Sequence, residues 1–294
     1  PRPSILRSPT PDPRRPTPDS RLPTPDSRLS TQMPRFAANI STLYPELALI
    51  DRVAAAARDG FAAVEVQQPF EAGADEFRRA LADARVELVL MNAPAGDAAA
   101  GERGLAALPG REREFEQAIE RALAYARIVG APRVHVQAGR PDPALAADAV
   151  MATYLRNLTY ACDTLRPHGI RVMIEPINTR DIPGYWLTHH QQAADVIAAL
   201  KKDNLALQMD LYHLQIMEGD LVRRVERFFP LVGHVQIAGV PERHEPDTGE
   251  VHYPALFALL DRLGYAGWVG CEYHPARGKT PGGTSAGLGW LRRT

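Results

Sequence analysis

Cysteine is scarce in this 294-residue sequence, with only Cys162 and Cys271 present. Two cysteines, read as lying in a helix and a strand, exclude a disulfide framework and a cysteine-built zinc site, and they suit a reducing compartment. An excess of either charge is also lacking. The chain has 34 Lys and Arg against 35 Asp and Glu, a formal net charge of -1. That balance offers no basic footprint for a nucleic-acid backbone and no polybasic membrane patch. No apolar run reaches the roughly 18 residues of a membrane-spanning helix, and no charged segment followed by an apolar one opens the chain, so a cytoplasmic location is the expectation. Glycine-rich phosphate loops are missing as well: the first strand-to-helix turn has no G-x-G-x-x-G, and G-x-x-x-x-G-K-[ST] occurs nowhere. Nucleotide cofactors therefore lose their simplest support.

What is present is a composition of 45% hydrophobic and 23% charged residues, that of a chain able to bury a large core. Residues 1–32 stand apart. They are rich in Pro, Ser, Thr, Asp and Arg and contain a near-duplicated seven-residue unit in TPDSRLPTPDSRLSTQ. Such a stretch cannot bury a core and is expected to be disordered. Its PxxP-like spacing, which would suit a ligand for a partner domain, arises easily from this composition. Met33 directly precedes the first strand-like run and is the expected natural start, leaving residues 33–294 as one catalytic domain.

From Met33 onward, short β-branched or apolar runs alternate with longer amphipathic stretches, the sign of βαβ units and a parallel sheet. The expected strands are FAANIS (36–41), AAVEVQ (62–67), VELVLMN (86–92), RVHVQA (133–138), RVMIEP (171–176), LALQMD (205–210), GHVQIA (233–238) and WVGCEY (268–273). Between them, stretches such as ELALIDRVAAAARDG and EFEQAIERALAYARIVG close on a Gly that suits a helix C-terminus. Eight strands, each followed by a helix, predict a closed (β/α)8 TIM barrel rather than an open doubly wound sheet.

Catalytic groups of such a barrel come from the C-terminal ends of its strands. Four consecutive expected strands end on an oxygen donor: Glu175 in IEPIN, Asp210 in QMDLYH, Gln236 in GHVQIA and Glu272 in GCEYHP. Any one acid alone could cap the next helix or pair with an arginine. Three carboxylates and an amide converging on one mouth would repel one another unless a cation neutralised them, so a shared metal site is the simplest resolution. Oxygen donors without cysteine favour Mg²⁺ or Mn²⁺, with Co²⁺ admitted and Zn²⁺ less suited. A cation flanked by two carboxylates suits proton transfer on a carbon next to a carbonyl, through an enediolate.

These segments resemble the hydroxypyruvate isomerase family of xylose isomerase-like TIM barrels, whose relatives include 2-oxo-tetronate isomerases. The resemblance runs from about Met33 to the C-terminus. It rests on RFAANIS, AAGERGLAALPGRE (99–112), IEPINTRDIPGYWLT (174–188), MDLYHLQIMEGDL (209–221), GHVQIAGVPERHEPDTGE (233–250) and GYAGWVGCEYHP (264–275). It implies that Glu175 and Glu272 form the proton donor and acceptor pair, and that Glu175, Asp210, Gln236 and Glu272 are the metal ligands, with Gln236 standing where related ketose epimerases carry His. It further implies substrate contacts by His213 and Arg243. Asn178, Arg111 and Tyr185 are candidate substrate-facing residues that could equally stabilise loops. A guanidinium at Arg243 would suit a substrate carboxylate; the competing expectation is a surface pair with Glu245 or Asp247. Glu65 and His135 also lie near strand ends, with nothing local to assign them a role. The connection holding GERG and LPGRE is long enough to cover the mouth as a lid. After the last strand, HPARGKTPGGTSAGLGWLRRT departs from the family pattern and is expected to alter a surface excursion.

The implied activity is interconversion of hydroxypyruvate and tartronate semialdehyde, with 2-oxo-tetronate isomerisation or ketose 3-epimerisation as alternatives on the same scaffold. An abasic-site endonuclease would need a His-rich multi-zinc site and a basic face, and a non-catalytic sugar-acid binder would have no reason to hold two carboxylates at proton-transfer positions. The expected partner is a small hydroxy-keto acid, with no nucleic acid and no membrane; a homo-oligomer is compatible with the sequence.

Overall fold

In the computed structural model, which describes residues 34–276 and 282–292, every strand-like run of the sequence becomes a strand. These are β1 (Arg35–Asn39), β2 (Ala63–Val66), β3 (Glu87–Asn92), β4 (Arg133–His135), β5 (Arg171–Ile174), β6 (Leu205–Asp210), β7 (Val232–Ile237) and β8 (Trp268–Cys271). All pair in parallel and in chain order, and β1 closes on β8 through Arg35↔Trp268 to Ala38↔Cys271, so the sheet is a barrel without an edge. The expected disorder of residues 1–32 and residues 277–281 of the excursion after β8 lie outside the described residues.

Helices α1 (Leu49–Arg58), α2 (Ala74–Ala84), α3 (Glu112–Val129), α4 (Ala147–Leu165), α5 (His190–Leu200), α6 (Leu211–Met217), α7 (Leu221–Phe228) and α8 (Tyr253–Arg262) fill the connections, with a short α9 (Gly283–Gly287) after β8. Helix α3 stops at Gly130, whose φ of 74° lets the chain turn left-handed where a side chain would be strained. None of the helices among the described residues is long and apolar enough to cross a membrane.

The period of two along each strand sorts its side chains into two cores. One set, including Ala38, Val64, Val134, Val172, Leu207, Val235 and Val269, packs outward against helix residues such as Val53, Phe77, Ile119 and Leu158. The other set faces the barrel axis, where Ala37, Ala63 and Val89 form one small cluster and Leu90, Met173 and Ala206 another. Two residues further along the same strands the inward positions turn polar: Asn39, Glu65, Glu175 and Gln208. The barrel interior therefore runs from small apolar clusters, beside which Arg133 donates to the carbonyls of Gly233 and Val89, to a polar mouth at its C-terminal end.

Strand β4 is shorter than its apolar run. Its expected last residues, Gln137 and Ala138, leave the sheet to bond the β3–α3 connection, with Ala107 N donating to Ala138 O at 2.7 Å and Ala106 N to Gln137 O at 3.3 Å.

Space at the axis is tight. A Cβ on Gly270 of β8 would lie 2.2 Å from Glu65 Oε2. Gly270→Ala is expected to destabilise the barrel by about 1–3 kcal/mol, since an added methyl in a close-packed interior forces strain. Urea unfolding checks this, and an unchanged midpoint would show that the axis can expand.

Candidate active site at the barrel mouth

Strands β5 to β8 are consecutive neighbours, which brings Glu175, Asp210, Gln236 and Glu272 to one mouth. Asp210 is directly across from Gln236 in the β6–β7 register, and Gln236 is across from Gly270, two residues before Glu272. All four are buried. A cavity of about 320 Å³ opens there, lined by Glu175, Glu272, His213, Arg243, Gln67 and Arg103 among others.

Glu272 is the most firmly held. One carboxylate oxygen accepts from Arg243 Nη2 at 2.5 Å and Gln67 Nε2 at 2.8 Å; the other accepts from Asn39 Nδ2 at 3.1 Å and from Gln236 Nε2. Asn39 and Gln236 also donate to Glu65 Oε1, at 2.9 and 2.7 Å, and His234 Nε2 donates across the barrel to Glu65 Oε2 at 2.6 Å. Two amides thus separate two buried carboxylates that would otherwise repel. The same bonds fix the Gln236 amide: its nitrogen faces the carboxylates, and its oxygen accepts from Gln208 Nε2 at 2.6 Å. The expected ligand oxygen of Gln236 is thus taken up by Gln208.

Asp210 serves two structures at once. Oδ1 accepts from Tyr212 N at 2.8 Å and caps α6, while Oδ2 is buried without a hydrogen-bond partner. Glu175 Oε1 is equally without one. His213 Nε2 lies 3.6 Å from Asp210 Oδ2 and 3.9 Å from Glu175 Oε1, and the three residues form a group compact enough for one cation. On the other side of Glu175, His135 Nδ1 is 3.6 Å from Oε2. Two buried, unpartnered carboxylate oxygens side by side are what a bound cation would satisfy, so the donor set fits a divalent metal. His213 fits a different task. Its Nδ1 is 2.7 Å from Asn178 Nδ2, and Asn178 is oriented by donating to Asp181 Oδ2 at 3.1 Å and accepting from Asp181 N at 2.7 Å. Nδ1 is therefore an acceptor, and the neutral ring points an Nε2–H into the mouth.

Burial, followed by the neighbouring Glu272 and Asp210, holds Glu175 well above the usual carboxylate range. Burial also raises Glu272 and Asp210, against the pull of Arg243 on each. For Arg243 the balance is reversed: burial disfavours its charge, but Glu272, Asp210, Glu175 and Asp181 outweigh it and raise its pKa. Burial keeps His213 well below the ordinary histidine value and takes His135 down to about 3, so both are neutral near pH 7.

Of the other expected residues, Arg243 reaches the cavity, and its partners are Glu272, Asp210 at 3.6 Å and Asp181 at 3.5 Å, not the expected Glu245, which is itself buried, or Asp247. Asn178 stands behind His213. Tyr185 accepts from Ala138 N at 2.9 Å and is not among the cavity-lining residues; neither is Arg111, which is clamped between Glu102 and Glu114. Sequence reasoning gave no part to Asn39, Gln67, Gln208 or His234, and left Glu65 and His135 unassigned. The signal was present for most of them, since each holds an inward alternate position near a strand end. Nothing local separates such a residue from an ordinary core polar group.

A family model described as xylose isomerase-like TIM barrel matches residues 53–294, and the chain belongs to this family. Within it the chain is an isomerase of the hydroxypyruvate isomerase group. It is 52% identical over 260 residues to 2-oxo-tetronate isomerase of Cupriavidus necator, covering 88% of this chain and 98% of that protein. With hydroxypyruvate isomerase of Escherichia coli K12 it shares 41% identity over 259 residues, again covering 88% and 98%. A solved structure from Brucella melitensis, named AP endonuclease family 2, superposes with a TM-score of 0.85 at 46% identity, covering 89% of this chain and 99% of that one.

A cation held by these raised carboxylates would make metal and pH act together. A carboxyl whose pKa is raised by folding stabilises the metal-free protein while protonated, and that contribution is lost as pH rises through the raised pKa. Cation binding requires the ionised form and so grows with pH. The gap in melting temperature between Mn²⁺-loaded and metal-free protein is expected to widen from pH 7 to pH 9. At a hundredfold excess over Kd it should reach about 2.7 kcal/mol, or roughly 5–10 °C. Differential scanning calorimetry checks this, and a gap that narrows with pH would remove these carboxylates from the metal site.

Proposed function

We propose that the protein interconverts hydroxypyruvate and tartronate semialdehyde (2-hydroxy-3-oxopropanoate), with Glu175 and Glu272 moving the proton beside one divalent cation, Mg²⁺ or Mn²⁺ first and Co²⁺ also accommodated. The observation that carries this reading is the pair of buried carboxylates on one cavity, with Glu272 locked by four donors and Glu175 keeping one oxygen unpartnered. When bound, the cation would be held by Glu175, Asp210 and Glu272, with Gln236 joining once its amide oxygen turns inward, and it supplies the positive charge that polarises the substrate carbonyl.

The chain's own residues do the rest. One glutamate takes a proton from C3 of hydroxypyruvate, and the C–H electrons move into the C2 carbonyl to give an enediolate. The other glutamate returns a proton to C2, while the C3 hydroxyl proton passes to the C2 oxygen, leaving an aldehyde at C3 and a hydroxyl at C2. In the reverse direction the two exchange tasks. Arg243, bonded to Glu272 and stacked with its guanidinium carbon 4.9 Å from the Tyr212 ring centroid, keeps that carboxylate in place and favours its charged form against the effect of burial. The Nε2–H of His213 is placed to donate to a substrate oxygen as negative charge develops on it.

The second reading, isomerisation of a 2-oxo-tetronate, is favoured by the name of the 52% identical relative, and a cavity of about 320 Å³ has room for a fourth carbon. An endonuclease reading, prompted by the name of the Brucella structure, finds no support in a net charge of -1.

Turnover of both acids in D₂O, by metal-stripped protein before and after Mg²⁺ or Mn²⁺, tests the reading. Metal-dependent product carrying solvent deuterium is expected, and the faster acid identifies the substrate. Glu175→Gln and Glu272→Gln are each expected to lower kcat by about 10²- to 10⁴-fold. Undiminished turnover in both variants would end the acid/base assignment.

A further inference from the structure

The GERG and LPGRE stretch is pinned, not a free flap. Glu102 Oε2 accepts from Asp97 N at 2.6 Å, and Glu102 N donates back to Asp97 O at 3.0 Å. Arg111 grips the same carboxylate, with Nη2 3.2 Å from Oε2, and bonds Glu114 through Nε at 2.8 Å. On the other side of Arg103, Gly104 has φ 125° and donates to Ala95 O at 2.9 Å. A Cβ at Gly104 would sit 2.4 Å from Gln137 O, so only glycine lets the loop lie this close to the end of β4. The backbone is thus fixed on both sides of one residue.

That residue is the exception to the pairing around it. Arg103 lines the mouth cavity, donates from Nη1 to the carbonyl of Glu102 at 2.8 Å, and has no carboxylate partner among the described residues. Arg243 is the other arginine on the cavity, and its guanidinium is already shared among Glu272, Asp210 and Asp181. An anionic substrate entering a mouth built from Glu175, Asp210 and Glu272 meets like charge. Beside the proposed metal, its carboxylate is best met by a protein cation that has not already been neutralised.

We propose that Arg103 grips the substrate's carboxylate and thereby sets a preference for short keto acids over neutral sugars. This rests on the reading of the substrate as a keto acid. A guanidinium presents parallel N–H groups that match a carboxylate, and the clamp of Arg111 on Glu102 explains why the loop is held: it aims Arg103. Arg111 acts here as a positioning residue and not as a substrate contact.

Arg103→Gln and Arg103→Lys would be compared with wild type in the metal-loaded enzyme, after melting curves confirm that each is folded. The substrates are hydroxypyruvate and dihydroxyacetone, which carries CH₂OH in place of the carboxylate; binding of pyruvate, which cannot isomerise in this way, is measured by calorimetry. Arg103→Gln is expected to weaken pyruvate binding and raise the KM for hydroxypyruvate by about 10- to 100-fold, with a smaller change in kcat. The preference for the acid over dihydroxyacetone should collapse by a similar factor, with Arg103→Lys recovering part of it. Unchanged pyruvate binding in Arg103→Gln, equal losses on the acid and the neutral compound, or no pyruvate binding by wild type would overturn the proposal. Wild type that turns over neither hydroxypyruvate nor a 2-oxo-tetronate but binds pyruvate through Arg103 would overturn the isomerase reading and leave the carboxylate subsite standing.

Discussion

Four carboxylates, Glu65, Glu175, Asp210 and Glu272, are buried together at the end of one barrel, and the rest of the site is arranged around that fact. Two unit charges 4 Å apart repel by about 4 kcal/mol at an effective dielectric of 20, so the cluster survives only where opposite charge or donors stand between its members. Asn39 and Gln236 do this for Glu65 and Glu272, His234 for Glu65, and Arg243 for Glu272 and Asp210. These partners come from β1, β7 and the β7–α8 loop, which meet only because the sheet closes. Compensation is left incomplete at Glu175 Oε1 and Asp210 Oδ2, two buried oxygens that a cation would satisfy.

Economy of atoms follows from the same crowding. Asp210 gives one oxygen to the backbone of α6 and the other to the mouth. His213 has its tautomer set by an asparagine that is itself oriented by Asp181. Arg243 closes the set from a loop residue with φ 56°, its own carbonyl accepting from His274 N at 2.7 Å. Loops after strands carry the variable chemistry while the barrel supplies fixed directions, the usual division of labour in this architecture.

The two arginines of the β3–α3 connection show where legibility stops. Arg103 and Arg111 share one motif, one charge and one loop, and the sequence singled out Arg111. The structure shows Arg111 held between two glutamates and Arg103 on the cavity wall. An arginine's role depends on which carboxylates lie within a few ångströms of it, and Glu102 becomes Arg111's partner only after the loop folds back on the end of β4. Gln236 makes the same point: its place at the end of β7 was readable, but the direction of its amide depends on Glu65, Gln208 and Glu272 from three other strands.

By itself the sequence determined eight strands, their order, and the acids and amide at the ends of the last four, because alternation of apolar and polar residues along a strand is a local property that burial enforces. It also carried a family resemblance long enough to name the class. Tertiary structure alone decided which buried carboxylates share donors, which arginine is spent on the protein's own charges, and which oxygens are left without partners. Those outcomes depend on distances between residues more than a hundred positions apart, such as Glu65 and His234, and no local pattern encodes a distance that only barrel closure creates.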